Sequence, residues 1–400
     1  MRCMIISQDQ DDIRTLPRLV GGHTGLLLAR NQSVNLFNRI VTIIDARRCR
    51  RPARDSANRL SADGWVQETD PEPGSLKNLI GTTPRMGVLA SVVFLVDVCT
   101  VAVATMDGRV LKEFTLHTDP GASPEQRISA GADLVDRLLG ELELGAGDLH
   151  ALHLAVDTQM DAQSGDVYAQ RASSRWYGVN PKEFFVGRFG VPVHVQNTAR
   201  LEGLAEYLWG RGRGHADVLY VDVSYGITSG HIVDGIIHSG VRGGSGELGH
   251  TVYDWDGPLC SCGNPGCLMQ YASIPAMLRD LNTGCGTSTD WAGFTELIHA
   301  GDPPATTIAR RAAEVLGRML MNTCHIIDPA VLLLSGEVVR AIPSFVDEVA
   351  AVMSERALPL VSRNLQVLAA ELDDTHVPTA RAGIESLRAI DDVVTAATAF

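Results

Sequence analysis

The chain has no apolar run long enough to cross a bilayer, which takes about 20 residues. The longest candidate, Met86 to Val98, is too short and strand-like. The opening residues, MRCMIISQDQDD, lack a basic segment followed by an apolar stretch, so no signal peptide is expected. Aromatic residues are few, at 5%. Basic residues are outnumbered, 34 Lys and Arg against 47 Asp and Glu, and the net charge of −13 excludes a protein that coats nucleic acid over its whole surface. It leaves room for one small basic module. Eight cysteines in 400 residues are too few for a disulfide scaffold. These absences together predict a cytoplasmic chain with no membrane partner.

What is present points to an α/β protein. The 39 glycines suit many tight strand–helix turns, and 400 residues exceed one compact core, so two or three domains are expected. Residues 1–30 carry weak signals and read as an N-terminal extension. Val34, Phe37, Ile40, Val41 and Ile44 fall at helical spacing. Beyond them the charge reverses. Arg39, Arg47, Arg48, Arg50, Arg51, Arg54 and Arg59 face only Asp45 and Asp55. RDSANRLSADG then reads as a helix with a Gly64 stop, Trp65-Val66-Gln67 as a short strand, and the Pro/Gly-rich segment near 71–84 as a linker.

After residue 87 the pattern changes. Two strands, the second turning at Asp107-Gly108, precede an amphipathic helix over Ser123–Leu139. A strand follows in LHALHLAVDT, and a shorter one, VPVHVQN, ends at Asn197. Helix is predicted over Thr198–Trp209, a strand pair in VLYVDVSYGITSGHIVDGII, and helices over Pro275–Asn282, Trp291–Ala300 and Ala309–Ile327, before a buried strand in AVLLLSG. Strands with crossing helices, twice over, predict two α/β lobes.

Three cysteines crowd into eight residues behind a histidine: His250, then Cys260, Cys262 and Cys267, in GELGHTVYDWDGPLCSCGNPGC. Zinc takes four N or S ligands tetrahedrally, and Gly263, Pro265 and Gly266 let the backbone turn around an ion. Four protein ligands fill the shell, so the Zn2+ is expected to be structural. The alternative, three free buried cysteines, suits a Gly/Pro-rich knuckle poorly.

GELGH followed by DGPLCSCGNPGCL resembles the ROK family (repressors, open reading frames and kinases) over roughly residues 87–400. The resemblance implies a hexokinase-type fold of two actin-like lobes around a cleft, preceded in the repressors by a winged helix-turn-helix. It places the winged helix and linker in 31–83, the first lobe in 84–197 with 380–400, and the second, with the zinc knuckle, in 198–379. It implies that Asn197, Glu247 and His250 contact a sugar. In the family's kinases the base is the Asp of an Asn-Asp pair; here Asn197 is followed by Thr198, whose hydroxyl accepts no proton near neutral pH. The first phosphate loop has no glycine before Gly108; Asp97 with Val98, Cys99 and Thr100 echoes it only faintly, and a continuous buried strand is the preferred reading. The second loop keeps Gly226 and Gly230 around Thr228 as a degenerate cradle. Met269 replaces a sugar-gripping Glu, and Asp157-Thr158 replaces a Pro-Gly.

The expectation is therefore a transcription regulator and not an enzyme. Arg47, Arg48, Arg50, Arg51, Arg54, Asn58 and Arg59 are expected on an operator DNA, a sugar in the cleft as effector, and a homodimer or homotetramer as the assembly that the resemblance implies. The stretch before Pro52 is short, so either the helix-turn-helix is trimmed or Thr24–Arg39 supplies an earlier helix. Two rivals remain: an ATP-dependent sugar kinase using Glu202 or Asp157 as base, and a degenerate regulator that acts through protein contacts alone.

Overall fold

The computed structural model describes residues 61–62, 64, 66–69, 79–168, 174–372 and 375–390. The helix expected over Val34–Ile44 and the residues expected on DNA, Arg47 to Arg59, lie outside the described residues. The chain divides into two compact units that meet in sequence at Met86 and Gly87.

In the first unit, β1 (Val66–Thr69) pairs antiparallel with β2 (Leu79–Thr82), Val66 opposite Thr82. Residues 79–82 were expected inside a linker; they form a strand instead. Alternation is invisible in so short a segment, and a partner strand was needed to reveal it.

The second unit holds two five-stranded sheets of one topology. The first comprises β3 (Val88–Phe94), β4 (Val98–Thr105), β5 (Val110–His117), β6 (Leu149–Val156) and β7 (Val193–Asn197), in the order β5-β4-β3-β6-β7. The second comprises β8 (Asp217–Val223), β9 (Ile227–Val233), β10 (Ile236–Ile237), β11 (Val331–Ser335) and β12 (Gln366–Ala369), in the order β10-β9-β8-β11-β12. In each, three strands run as an antiparallel meander and two more add in parallel to the first.

The helices are α1 (Pro124–Glu141), α2 (Pro181–Phe189), α3 (Thr198–Trp209), α4 (Met269–Ala272), α5 (Ile274–Cys285), α6 (Trp291–His299), α7 (Pro303–Ile327), α8 (Glu337–Ala341), α9 (Phe345–Arg356), α10 (Pro359–Ser362) and α11 (His376–Arg388). Every residue of β3 and β4 is buried, because α1 and α11 both pack on them. α11 thereby returns the end of the described chain to the first sheet. On the second sheet, Leu219, Val221, Leu332 and Leu334 pack with Leu316 and Leu320 of α7 and Val349 of α9.

Local chemistry sets the helix ends. Ser123 caps α1 with a reciprocal capping box to Gln126, and Pro124 fills the first turn. α7 starts at Pro303, two turns before the expected Ala309. Asp302 accepts from Ala305 N, and prolines are tolerated where no intrahelical N–H is needed. The expected continuous strand through SVVFLVDVCT is two strands, broken at Leu95–Asp97.

Gly230, expected in a phosphate loop, lies inside β9. A Cβ there would stand 2.8 Å from the Arg200 Cα of α3. Its lack of a side chain serves close packing of α3 on β9 rather than a phosphate. Gly230→Ala is expected to destabilise the chain by about 1–3 kcal/mol, read as a lower urea midpoint. An unchanged midpoint would remove this account of the glycine.

Candidate functional site: a sugar-sized cleft beside a metal knuckle

The knuckle begins at the segment Leu248–His250, a single 3-10 turn. His250 Nδ1 stands 3.5 Å from Cys260 Sγ, and Cys262 Sγ stands 3.5 Å from Cys267 Sγ. The four ligand atoms all lie within 4.8 Å of one another. Zinc bonds of about 2.3 Å to sulfur and about 2.0 Å to nitrogen put tetrahedral edges at about 3.6–3.8 Å, so the donor set fits that ion. Gly266 has φ +67°, and a Cβ on it would fall 1.5 Å from the Asp254 carbonyl oxygen. Only glycine permits the turn that brings Cys267 back to the others. A bound zinc would supply a rigid four-way clamp, with its ligand shell filled by the protein.

Glu247 precedes the same 3-10 turn and makes no capping bond to it. Its Oε2 instead accepts from Gln159 Nε2 at 2.8 Å, and its Oε1 lies 3.8 Å from Arg200 Nη2. Arg200 is only 3% exposed. It donates to the carbonyls of Gly243, at 2.6 Å, and Ser245, and to Gln196 Oε1 at 2.7 Å. The glycine before Glu247, Gly246, has φ +91°, and a Cβ there would meet the Ser229 carbonyl at 2.1 Å. Arginine on one side and glycine on the other thus press the GELGH segment onto α3 and β9.

Glu247 and His250 line one cavity of about 270 Å³ with Asn197, Asp157, Gln159 and Tyr168. All three residues expected at a sugar therefore share a pocket of monosaccharide size, near the lower end of small-ligand cavities. Asn197 caps α3, its Oδ1 accepting from Ala199 N at 3.0 Å. Asp157 is held by Arg175 and by Trp176 Nε1 at 2.6 Å. Met269 packs against the core of the second sheet. Gln159, Arg200 and Tyr168 escaped the sequence reading. A buried arginine one helical turn from Gln196 was the only signal available for one of them.

On the far side of Asn197 stands Thr198, 4% exposed, its hydroxyl without a hydrogen-bond partner. Gly226 lies in the turn between β8 and β9 and lines a second cavity, of about 980 Å³, together with Thr198, Glu202 and Asp222. Glu202 accepts from Tyr220 Oη at 3.0 Å. Burial, then the nearby Asp222 charge, pushes the Glu202 carboxyl up to about 7. Burial likewise raises Asp222, to about 6, against the hydrogen bond from Ser224 and the charge of Arg340.

Two lobes of one topology closing on a sugar-sized pocket, with a metal knuckle on its wall, define a protein of the sugar-kinase-like class. The family model described as "ROK family" matches residues 96–378, and the chain belongs to that family. It is 26% identical over 277 residues to a xylose repressor of Bacillus spizizenii, covering 69% of this chain and 71% of the relative. It is 29% identical to a glucokinase of Thermotoga maritima, covering 60% and 79%. Among solved structures, a ROK family transcriptional regulator described as a homolog of the E. coli MLC protein superposes with a TM-score of 0.68 at 19% identity, covering 93% of this chain and 98% of that one. No described helix is long and apolar enough to cross a membrane.

Two outcomes are expected at this site. Cys262→Ser should lower bound zinc well below about one equivalent per chain by elemental analysis and lower the melting temperature; full zinc retention would count against the ligand set. Glu202 has a folded pKa above its unfolded value, so its contribution is fully favourable below about pH 4 and is lost as pH rises through about 7. Glu202→Gln should therefore stabilise the chain at pH 8 relative to wild type by roughly 1 kcal/mol and do little at pH 4, measured by thermal melts at both.

Proposed function

We propose that this chain is a transcriptional repressor of the ROK family whose kinase-like domain binds a sugar without phosphorylating it. The observation that carries the reading is Thr198 beside Asn197: the sugar side of the cleft keeps its polar grip, while the position of the base holds a hydroxyl that cannot take a proton at neutral pH. The phosphate side supports the same reading. Polyphosphate needs backbone N–H groups and cations around it, whereas Glu202 and Asp222 line this cavity. The xylose repressors among the relatives agree with a regulator.

The effector belongs in the pocket of Glu247, His250 and Asn197, where a carboxylate and a histidine can bind sugar hydroxyls. The zinc knuckle carries one wall of that pocket, so metal and effector are linked through His250. The basic stretch Arg47–Arg59, with Asn58 among its arginines, is the part that reaches the operator, and two-fold assembly would present two copies of it.

A gel shift of the full chain on the upstream DNA of its own operon should give a complex that weakens steeply between about 50 and 200 mM salt, as counterion release requires. The same preparation should turn over no ATP with a panel of hexoses and pentoses. Sugar-dependent ATP consumption above background would replace this reading with the kinase one, for which Glu202 is the available carboxylate.

A further inference from the structure

The metal quartet and the sugar-sized cavity share residues. Cys260 and Cys267 are buried, at 2% and 0% exposure, whereas His250 and Cys262 are half-buried. Those two half-buried residues both line the cavity of about 270 Å³, together with exposed Ser261. The backbone accounts for the difference among the cysteines. Gly263 N donates to the Cys260 carbonyl at 3.0 Å, which closes a tight turn with Ser261 and Cys262 at its corners. Cys260 N donates in turn to the Asn264 carbonyl at 2.9 Å, and Cys267 follows at the base of the loop. The corner of the turn thus meets the cavity, while its flanks are packed inside.

A metal holds its cysteines as thiolates, the nucleophilic form of sulfur. Oxidation selects thiolates that solutes reach and that have a second thiol at hand to resolve the product. Cys262 meets both conditions: it borders a cavity that admits small molecules, and its Sγ lies 3.5 Å from Cys267 Sγ. Other cysteines of the described residues meet at most one of them. Cys99 and Cys324 are buried in the cores of the two sheets, and Cys285, exposed at the end of α5, lies outside both the quartet and the cavity.

We propose that Cys262 is a hydroperoxide-reactive modification site in the wall of the effector pocket, with Cys267 as its resolving partner, and that a sugar seated in the pocket protects it. The Cys262 thiolate attacks one peroxide oxygen; the S–O bond forms, the O–O bond breaks, and hydroxide leaves. The Cys267 thiolate then attacks the Cys262 sulfur; the S–S bond forms, the S–O bond breaks, and a second hydroxide leaves. Two thiolates have lost two electrons and the peroxide has gained them, and two protons from solvent complete two waters. The disulfide removes two of four ligands, so the metal is released and the pocket loses the wall that carries His250. A sugar in the cavity stands between solvent and Cys262 and blocks the first step. The protection rests on the sugar pocket proposed above; the reactivity of Cys262 does not.

The test treats the full zinc-loaded chain with hydrogen peroxide, follows zinc release with a chromogenic chelator, and maps the cysteines by mass spectrometry. Zinc is expected to leave in step with a Cys262–Cys267 disulfide. Calorimetry with free hexoses and pentoses first identifies a sugar that binds and its Kd. At ten times that Kd the release rate should fall about tenfold, following the unoccupied fraction, while oxidation of Cys285 in the same molecules stays unchanged. Cys285→Ser should release zinc at the wild-type rate. Retention of zinc while Cys285 is oxidised overturns the proposal, as does a disulfide that leaves out Cys262. Equal release rates with the pocket filled and empty overturn the protection. If no sugar binds by calorimetry, the effector reading falls and the protection with it; the disulfide map without sugar then decides on Cys262 by itself.

Discussion

The cleft depends on one buried cation. Arg200 rises from the first turn of α3 into a space with almost no solvent, and removing a guanidinium from water costs several kcal/mol unless its donors are used. Here the Nη donors are used, chiefly on the backbone of the loop that carries Glu247 and leads to His250, while Nε stays without a partner. Burial pulls the Arg200 pKa down and the Glu247 charge holds it up, so the two side chains explain one another. The Glu247 carboxylate is oriented by Gln159 and lies beside its arginine neighbour, and the histidine that follows is tied into the knuckle. A short 3-10 turn with little core of its own is thus held from two sides, by a helix and by a ligand cluster.

The two halves of the cleft have been treated differently. Around the smaller cavity, Asn197, Glu247 and His250 present polar side chains to one space. Around the larger one stand Thr198, the glycine-free turn at Leu95–Asp97 and the carboxylates of Glu202 and Asp222. A kinase pays for its phosphate site with exposed backbone and strained glycines. A regulator needs only a domain whose state changes with ligand, and apolar or acidic side chains can fill the space. The two sheets match in topology and each has its own packed core, while a third cluster joins Val93, Ala102 and Ala155 of the first sheet to Val218, Tyr220 and Leu333 of the second.

Much of this was legible in the residues. The strand–helix alternation, the end of β7 at Asn197 and the limits of α3 follow from periodicity and capping. The clustering of His250, Cys260, Cys262 and Cys267 follows from spacing and from the glycines and proline between the cysteines. Other features were hidden for identifiable reasons. α7 began earlier than periodicity suggested because two prolines masked a first turn that Asp302 caps. The strand β2 was taken for linker because four residues carry no pattern until a partner is beside them. Gly230 was assigned to a phosphate loop because a glycine in a Gly-rich stretch does not say whether it turns or packs; its contact with α3 decides for packing.

By itself the sequence determined the class of fold and the His250, Cys260, Cys262 and Cys267 cluster, because each rests on residue type and short-range spacing. Only the tertiary structure decided that Arg200 and Gln159 hold Glu247, that Asn197, Glu247 and His250 share one pocket with part of the knuckle, and that Glu202 and Asp222 meet in the other cavity. Those pairs lie on different elements, brought together by sheet order and helix packing. Contact across such separations is a property of the folded chain, with no trace in local pattern.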